Sequence, residues 1–210
     1  MAGTSGQPSK DQAVVSLLEG FGYAVSVVDD DALSLVDWSG VDAAVVMSSV
    51  NPTVAGRALR MVPVPLVVGE AYAFDELGLV VAGGRSAEVA GNQVQVVDSG
   101  HPIAAGLAGT VVVQSVSGLG YAVPVPEAQV VAKLPGVGDR AAVFALETGA
   151  ALSGGGVAPA RRVGWFLTWN GTDTLTDQGA SFLTALNHPG SGGDSVYWFP
   201  TPAGVVCWAA

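Results

Sequence analysis

Gly204-Val205-Val206-Cys207-Trp208-Ala209 is an apolar, strand-forming run that stands alone at the far end of this chain. At the other end, Asp11 to Val28 (DQAVVSLLEGFGYAVSVV) reads as a helix followed by a strand. Met1 to Lys10 (MAGTSGQPSK), ahead of it, holds no apolar run. An α/β unit normally begins with a strand, so the chain opens as if that strand had already been made. Joining its last residues to its first gives GVVCWAA-MAGTSGQPSKDQAVVSLLEGFGYAVSVV. That text is a strand, a small polar loop with glycine, a helix and a second strand, in βαβ order. The tail is therefore expected to supply the first strand, within one molecule or between two.

Working outward, Ser9 to Gln12 fits a capping box, with Ser9 as N-cap and a glutamine three residues on. Ala13, Val14, Leu17, Leu18 and Phe21 follow helical spacing, and Gly22 ends the helix. Tyr23 to Val28 is expected as a strand, closed by Asp29-Asp30-Asp31, which opens a short helical turn. Asp42 to Met47 (DAAVVM) is apolar on both faces, as a central parallel strand should be. Asn51-Pro52 is an N-cap with proline at the first helical position, and the helix runs to about Met61. Pro65 to Val68 is the next short buried strand. From here the pattern turns β-rich. Val80 to Val97 reads as a hairpin with turns at Gly83-Gly84 and Gly91-Asn92. Thr110 to Ser117, Gln129 to Leu134, Ala141 to Glu147 and Arg162 to Thr168 read as further strands. Thr176 to Asn187 is the last helix, with Leu175, Phe182, Leu183 and Leu186 on one face.

These readings give an α/β fold, with a flavodoxin-like, mostly parallel sheet flanked by helices, a β-rich insertion and a C-terminal strand appendage. The α/β domain covers residues 1–187, with the insertion at about 80–168. Residues 188–194 (HPGSGGD) are a linker, and 195–210 are an aromatic and strand-forming tail.

With 210 residues, half of them apolar, the chain can bury a substantial core. A net charge of −10 argues against nucleic acid and anionic membrane surfaces as partners, because both need clustered Lys and Arg. No apolar stretch is long enough for a membrane span, and no basic-then-apolar leader is visible. Cys207 is the sole cysteine and sits in an apolar run, where an inert thiol is expected.

The run Val96-Val97-Asp98-Ser99-Gly100-His101-Pro102-Ile103-Ala104-Ala105-Gly106-Leu107, with its HPI-x-x-GL signature, resembles the ThuA-like branch of the class I glutamine-amidotransferase-like fold. Arg161-Arg162-Val163-Gly164-Trp165-Phe166-Leu167, followed by a Thr/Asp loop and a helix, resembles non-catalytic members of that group, which occur as modules in bacterial surface proteins. The likeness covers roughly residues 11 to 188 and implies the flavodoxin-like sheet. Catalytic members carry a cysteine on a strained turn after the strand matching Pro65 to Val68, where a helix N-terminus stabilises the thiolate. Here that turn reads Val68-Gly69-Glu70-Ala71-Tyr72, so Glu70 fills the cysteine position, and no His-x-Glu pair follows downstream.

Glu70 and His101 are the candidate catalytic groups. Glu70 is read either as a general base in a cleft or as a helix-capping carboxylate, and His101 either as its partner or as a structural turn residue. Asp29, Asp30 and Asp31 could hold a divalent cation or form a solvated strand end. Gly154-Gly155-Gly156 lacks the Lys and Ser/Thr of a phosphate loop. Tyr197, Trp198 and Phe199 are consecutive, so a strand would point them to both faces and leave part of the cluster exposed unless a partner covers it.

The first functional expectation is a non-catalytic structural subunit, of an extracellular filament or a phage virion, that assembles head-to-tail with copies of itself. Its assembly residues are Tyr197, Trp198, Phe199, Val205, Val206, Cys207 and Trp208. It needs no cofactor. Two alternatives are a monomeric module recognising carbohydrate or protein, and a ThuA-like hydrolase or isomerase.

Overall fold

The computed structural model describes residues 8–82, 86–171, 173–184 and 204–208. The helices are α1 (Pro8–Gly20), α2 (Pro52–Leu59), α3 (Ala73–Glu76) and α4 (Asp177–Thr184). The strands are β1 (Ala24–Val28), β2 (Ala43–Val46), β3 (Leu66–Val68), β4 (Ser86–Val89), β5 (Gln93–Val96), β6 (Gly109–Val112), β7 (Leu119–Ala122), β8 (Gln129–Lys133), β9 (Ala141–Leu146), β10 (Arg162–Gly164) and β11 (Gly204–Trp208). They form one mixed sheet in the order β1-β11-β2-β3-β10-β9-β8-β5-β6, with β4 and β7 branching from β9.

The first five strands of that order are parallel. β2 and β3 are buried along their whole length, as their unbroken apolar sequences require of strands covered on both faces. β11 lies between β1 and β2, with Cys207 in register with Val27 on one side and Val45 on the other. At β10 the sheet changes character: β9 runs antiparallel to it, and antiparallel pairing continues through β8, β5 and β6. The β-rich region is thus a continuation of the same sheet.

Helices cover both faces. On one, Val14 and Leu18 of α1 and Phe182 and Leu183 of α4 pack with Val45, Met47, Trp165 and Phe166. On the other, Ala55 and Leu59 of α2 and Phe74 of α3 pack with Val46, Val68 and Phe144, the two phenylalanine rings meeting edge-on at 5.4 Å. α1 ends where Gly22 adopts φ 93°. The N–H groups of Gly22 and Tyr23 then close back on the carbonyls of Glu19 and Leu18 at 2.9 and 3.2 Å. That left-handed closure strongly favours glycine.

Four expectations change. α1 begins at Pro8, so Ser9 lies inside the helix and does not cap it; proline suits a first turn because its missing N–H has no helical partner there. Residues 80–97 do not form a hairpin: β4 pairs with β7, and β5 with β6 and β8. The Gly91 carbonyl accepts from Gly118 N–H at 2.7 Å, and the Asn92 carbonyl from Val113 N–H at 2.9 Å. The chain therefore crosses between two pairings at the point where a turn was expected to fold it back. β7 was not anticipated, because Gly118, Gly120 and Pro124 punctuate it. Gly120 is needed there: a Cβ would stand 3.1 Å from the Leu167 carbonyl oxygen. Finally, β6 and β10 stop at Val112 and Gly164, short of Ser117 and Thr168.

Buried Arg162 ties the junction of the two halves. Its guanidinium donates to the carbonyls of Val62 (2.7 Å), Val64 (2.8 Å), Ala160 (3.0 Å) and Arg161 (3.2 Å). Burial pulls its pKa down to about 10, still far above neutrality. The arginine thus stays charged, held by carbonyl dipoles with no carboxylate among its hydrogen-bond partners.

Candidate functional site

The carboxyl ends of β2, β3 and β10 gather most of the polar groups buried in the parallel half. Clefts of α/β sheets form at such ends because the loops leaving parallel strands diverge there. Beyond β2, Ser49 Oγ donates to Asp11 Oδ2 of α1 at 2.7 Å, and Asp11 is 4% exposed. Burial pushes the Asp11 carboxyl up, with the Ser49 bond opposing. The neighbouring Ser48 hydroxyl is buried and has no hydrogen-bond partner among the described residues.

Glu70 stands just beyond β3 and is 5% exposed. Gly69 N–H continues the ladder by donating to the Val46 carbonyl at 2.8 Å, which brings the turn tight against the sheet. A Cβ on Gly69 would lie 3.0 Å from Leu167 Cβ, so the close approach depends on glycine. Glu70 Oε1 accepts from Tyr72 N–H at 2.9 Å, and its carbonyl accepts from Ala73 N–H at 3.1 Å. The residue therefore holds the entry to α3 by both backbone and side chain. Burial pushes its carboxyl up to about 7, the Tyr72 bond opposes that, and the charge of Glu88 adds to it. Glu88 is exposed on β4, opposite Gly120 of β7, and takes a backbone hydrogen bond from Trp169. Burial pushes the Glu88 carboxyl up as well, so two carboxyls with raised pKa act on each other here. Such a pair can hold or move a proton.

His101 lies elsewhere, beside β8. Its Nδ1 accepts from Ile103 N–H at 3.1 Å, and its Nε2 lies 2.8 Å from Gln129 Oε1. With Nδ1 accepting, Nε2 is the protonated nitrogen and donates to the amide. Both ring nitrogens are used, and β10 and β9 separate β8 from β3 in the sheet, so the structure does not bring His101 and Glu70 together. The rest of the HPI-x-x-GL signature is a tight turn: Ile103 and Ala104 are buried, Ala105 and Gly106 have φ 51° and 77°, and Leu107 N–H closes on the Ala104 carbonyl at 2.8 Å.

The carboxylates of Asp29, Asp30 and Asp31 lie within 4.8 Å of one another. Two of them are engaged with the backbone. Asp29 Oδ1 caps the following turn by accepting from Asp31 N–H at 3.0 Å, and Asp30 Oδ2 accepts from Asn51 N–H ahead of α2. Asn51 in turn caps α2 through Thr53 and Val54. Gly154, Gly155 and Gly156 all have positive φ, and the carbonyls of Ser153 and Gly155 accept from Arg60. A loop that turns its carbonyls toward an arginine is no phosphate cradle.

Of the expected assembly residues, Val205, Val206, Cys207 and Trp208 fall in β11. Tyr197, Trp198 and Phe199 lie outside the described residues, as do Leu186 and the linker 188–194. Sequence reasoning missed Glu88, Asp11 and Arg162. Glu88 sits in a short half-exposed strand, and Asp11 lies in a helical stretch with no local sign that its carboxyl is buried. Nothing in Arg161-Arg162 tells from sequence that both are buried, or that Arg161 pairs with Glu147 while Arg162 binds carbonyls.

No protein-family model, curated protein or solved structure matches the chain. The likeness to the ThuA-like branch therefore rests on the residues quoted for it. Among the described residues no helix is long and apolar enough to cross a membrane.

Proposed function

We propose that this chain is a non-catalytic structural subunit that assembles head-to-tail with copies of itself, the tail strand of one copy completing the sheet of the next. The observation that supports it is the pairing of Gly204–Trp208 with both β1 and β2. Among the described residues β1 has no other strand neighbour. Without the tail strand, β1 and the facing edge of β2 would each carry a row of unpaired N–H and C=O groups inside the sheet.

The connection favours exchange. α4 ends at Thr184 and β11 begins at Gly204, whereas an αβ connection within one unit needs about 2–6 residues. At about 3.3 Å per extended residue it could span roughly 60 Å, enough to reach a neighbouring subunit. A strand from a neighbour would make the same backbone pairs as the chain's own strand, so donation loses no ladder bond. Because donation is heterologous, it closes into a ring or runs on as a filament.

Counted from the tail, the parallel strands read 2-1-3-4-5, the flavodoxin-like order. That order fits a member of the amidotransferase-like group that has lost its nucleophile: the turn carries Glu70, already bonded to Tyr72 N–H, where a thiol would act. An extracellular filament or a virion is the setting this reading favours.

Light scattering after size exclusion, with negative-stain microscopy, tests it on the full chain beside a version ending at Asn187. The full chain should form rings or filaments. The truncated one should form neither and should aggregate. A well-folded truncated monomer would overturn the role of the strand. A full-length monomer that never assembles would overturn donation.

A further inference from the structure

A cleft of about 280 Å³ opens at the far side of the sheet from the tail strand, between the crossing segment that joins β4 to β5 and the turn joining β8 to β9. Val89, Leu119, Leu134 and Val137 give it apolar walls, while Asn92 and Arg140 supply polar groups. Leu119 and Leu134 are buried at 1% and 5% exposure, so the floor is fixed core. The rim is fixed too. Leu134 N–H donates to the Arg140 carbonyl at 2.9 Å, and Val137 N–H to the Leu134 carbonyl at 3.3 Å, closing the turn that carries the arginine.

The Arg140 guanidinium stands 4.7 Å from the centre of the Tyr121 ring. Stacking on a ring face holds the plane of the guanidinium and leaves its edge donors available, the geometry that suits a carboxylate. Among the described residues Arg140 makes no ion pair. Arg57 and Arg161 pair with carboxylates and Arg60 and Arg162 donate to carbonyls, whereas the Arg140 guanidinium does neither among the described residues. Apolar walls with a few convergent polar groups are the usual make-up of a small-molecule site.

We infer that this cleft binds a small organic acid with an aromatic or branched apolar body, its carboxylate held by Arg140 and its body against Leu119, Leu134 and Val137. The site is independent of the tail strand and of Glu70. The net negative charge of the chain opposes the approach of any anion, so the arginine is the element that admits one.

Amide NMR of the full chain, titrated with indole-3-acetate and separately with the uncharged indole-3-acetamide, tests this. The acetate should shift amides of residues 89–93 and 134–140 and bind at least tenfold more tightly than the acetamide. Arg140→Gln should reduce the acetate to the level of the acetamide. Arg140→Lys, which keeps the charge but loses the planar fork, should fall between. Spectral dispersion reports whether each variant is folded, and the comparison of acid with amide on the unaltered chain needs no variant. Equal binding of the two probes, shifts centred elsewhere, or no shifts at millimolar probe would overturn the assignment.

Discussion

The two halves of the sheet are built on opposite principles. In the antiparallel half, β8 and β9 pair across a short turn, and β5 and β6 across a modest loop. In the parallel half, β11 comes after a long connection from α4, yet it sits between two strands from the start of the chain. Local pairing closes small loops at low entropic cost, whereas the tail strand must close nearly the whole chain. The antiparallel half is therefore expected to form on its own terms, and the parallel half to stay incomplete until a tail arrives. This asymmetry is what makes exchange between copies physically accessible.

The largest effect should come from deleting Gly204 to Ala210. Hydrogen exchange should show protection collapsing in β1 and β2 while β8 and β9 keep most of theirs. Uniform loss across both halves would mean that the sheet is a single cooperative unit and would erase the contrast.

The next largest should come from Arg162→Met at the junction. Methionine fills much of the volume but leaves four close carbonyl partners without their donor, and an unsatisfied buried polar group costs about 1–3 kcal/mol. A loss of about 3 kcal/mol or more in urea unfolding is expected. A change under 1 kcal/mol would show that water reaches those carbonyls.

Glu70 separates the halves by pH. Its carboxyl is pushed from 4.5 up to about 7 in the folded chain, first by burial. Between those values the folded state keeps a proton that the unfolded state has released. Stability should therefore fall as pH rises from about 4.5 to 7, by up to about 3 kcal/mol, and level off above. Glu70→Gln should remove most of that slope, the remainder coming from Asp11 and Glu88, and leave the variant more stable than the parent at pH 8. An unchanged slope would place the titrating group elsewhere.

The smallest effect belongs to the antiparallel half. His101→Ala removes the acceptor for Ile103 N–H and should cost about 1 kcal/mol by thermal unfolding, with His101→Asn recovering part of it. A loss far above that would give the His101–Gln129 bond more weight than the Ile103 cap.

How much of this was legible follows the same division. Apolar runs such as DAAVVM and the Asn51-Pro52 start marked the parallel half, because strands buried on both faces and capped helices leave local signatures. The isolated apolar run at the end of the chain stood out for the same reason. The antiparallel half was legible strand by strand but not in its pairing. At Gly91-Asn92 the decision between folding back and crossing over is made by Gly118 and Val113, which lie distant in sequence. β7 was hidden because its glycine, Gly120, serves close packing against residues 166–167, a tertiary cause without a local pattern. The site was legible in part. The position of Glu70 could be read from the turn, but its proton depends on burial and on Glu88 from another strand.

The central claim is that the strand between β1 and β2 comes from a neighbouring copy. Cys207 is the chain's sole cysteine, and it lies in register with Val27 of β1, which is 54% exposed. Neighbouring strands stand about 4.8 Å apart. That separation falls within the roughly 4.4–6.8 Å between Cα atoms that a disulfide requires. Val27→Cys, oxidised after assembly and run on a denaturing gel without reductant, reads the origin of the strand directly. A ladder of covalent multimers that collapses to a single band on reduction is the expected result. A single band of cross-linked monomer, running faster than its reduced form, would contradict donation and leave each chain completing its own sheet.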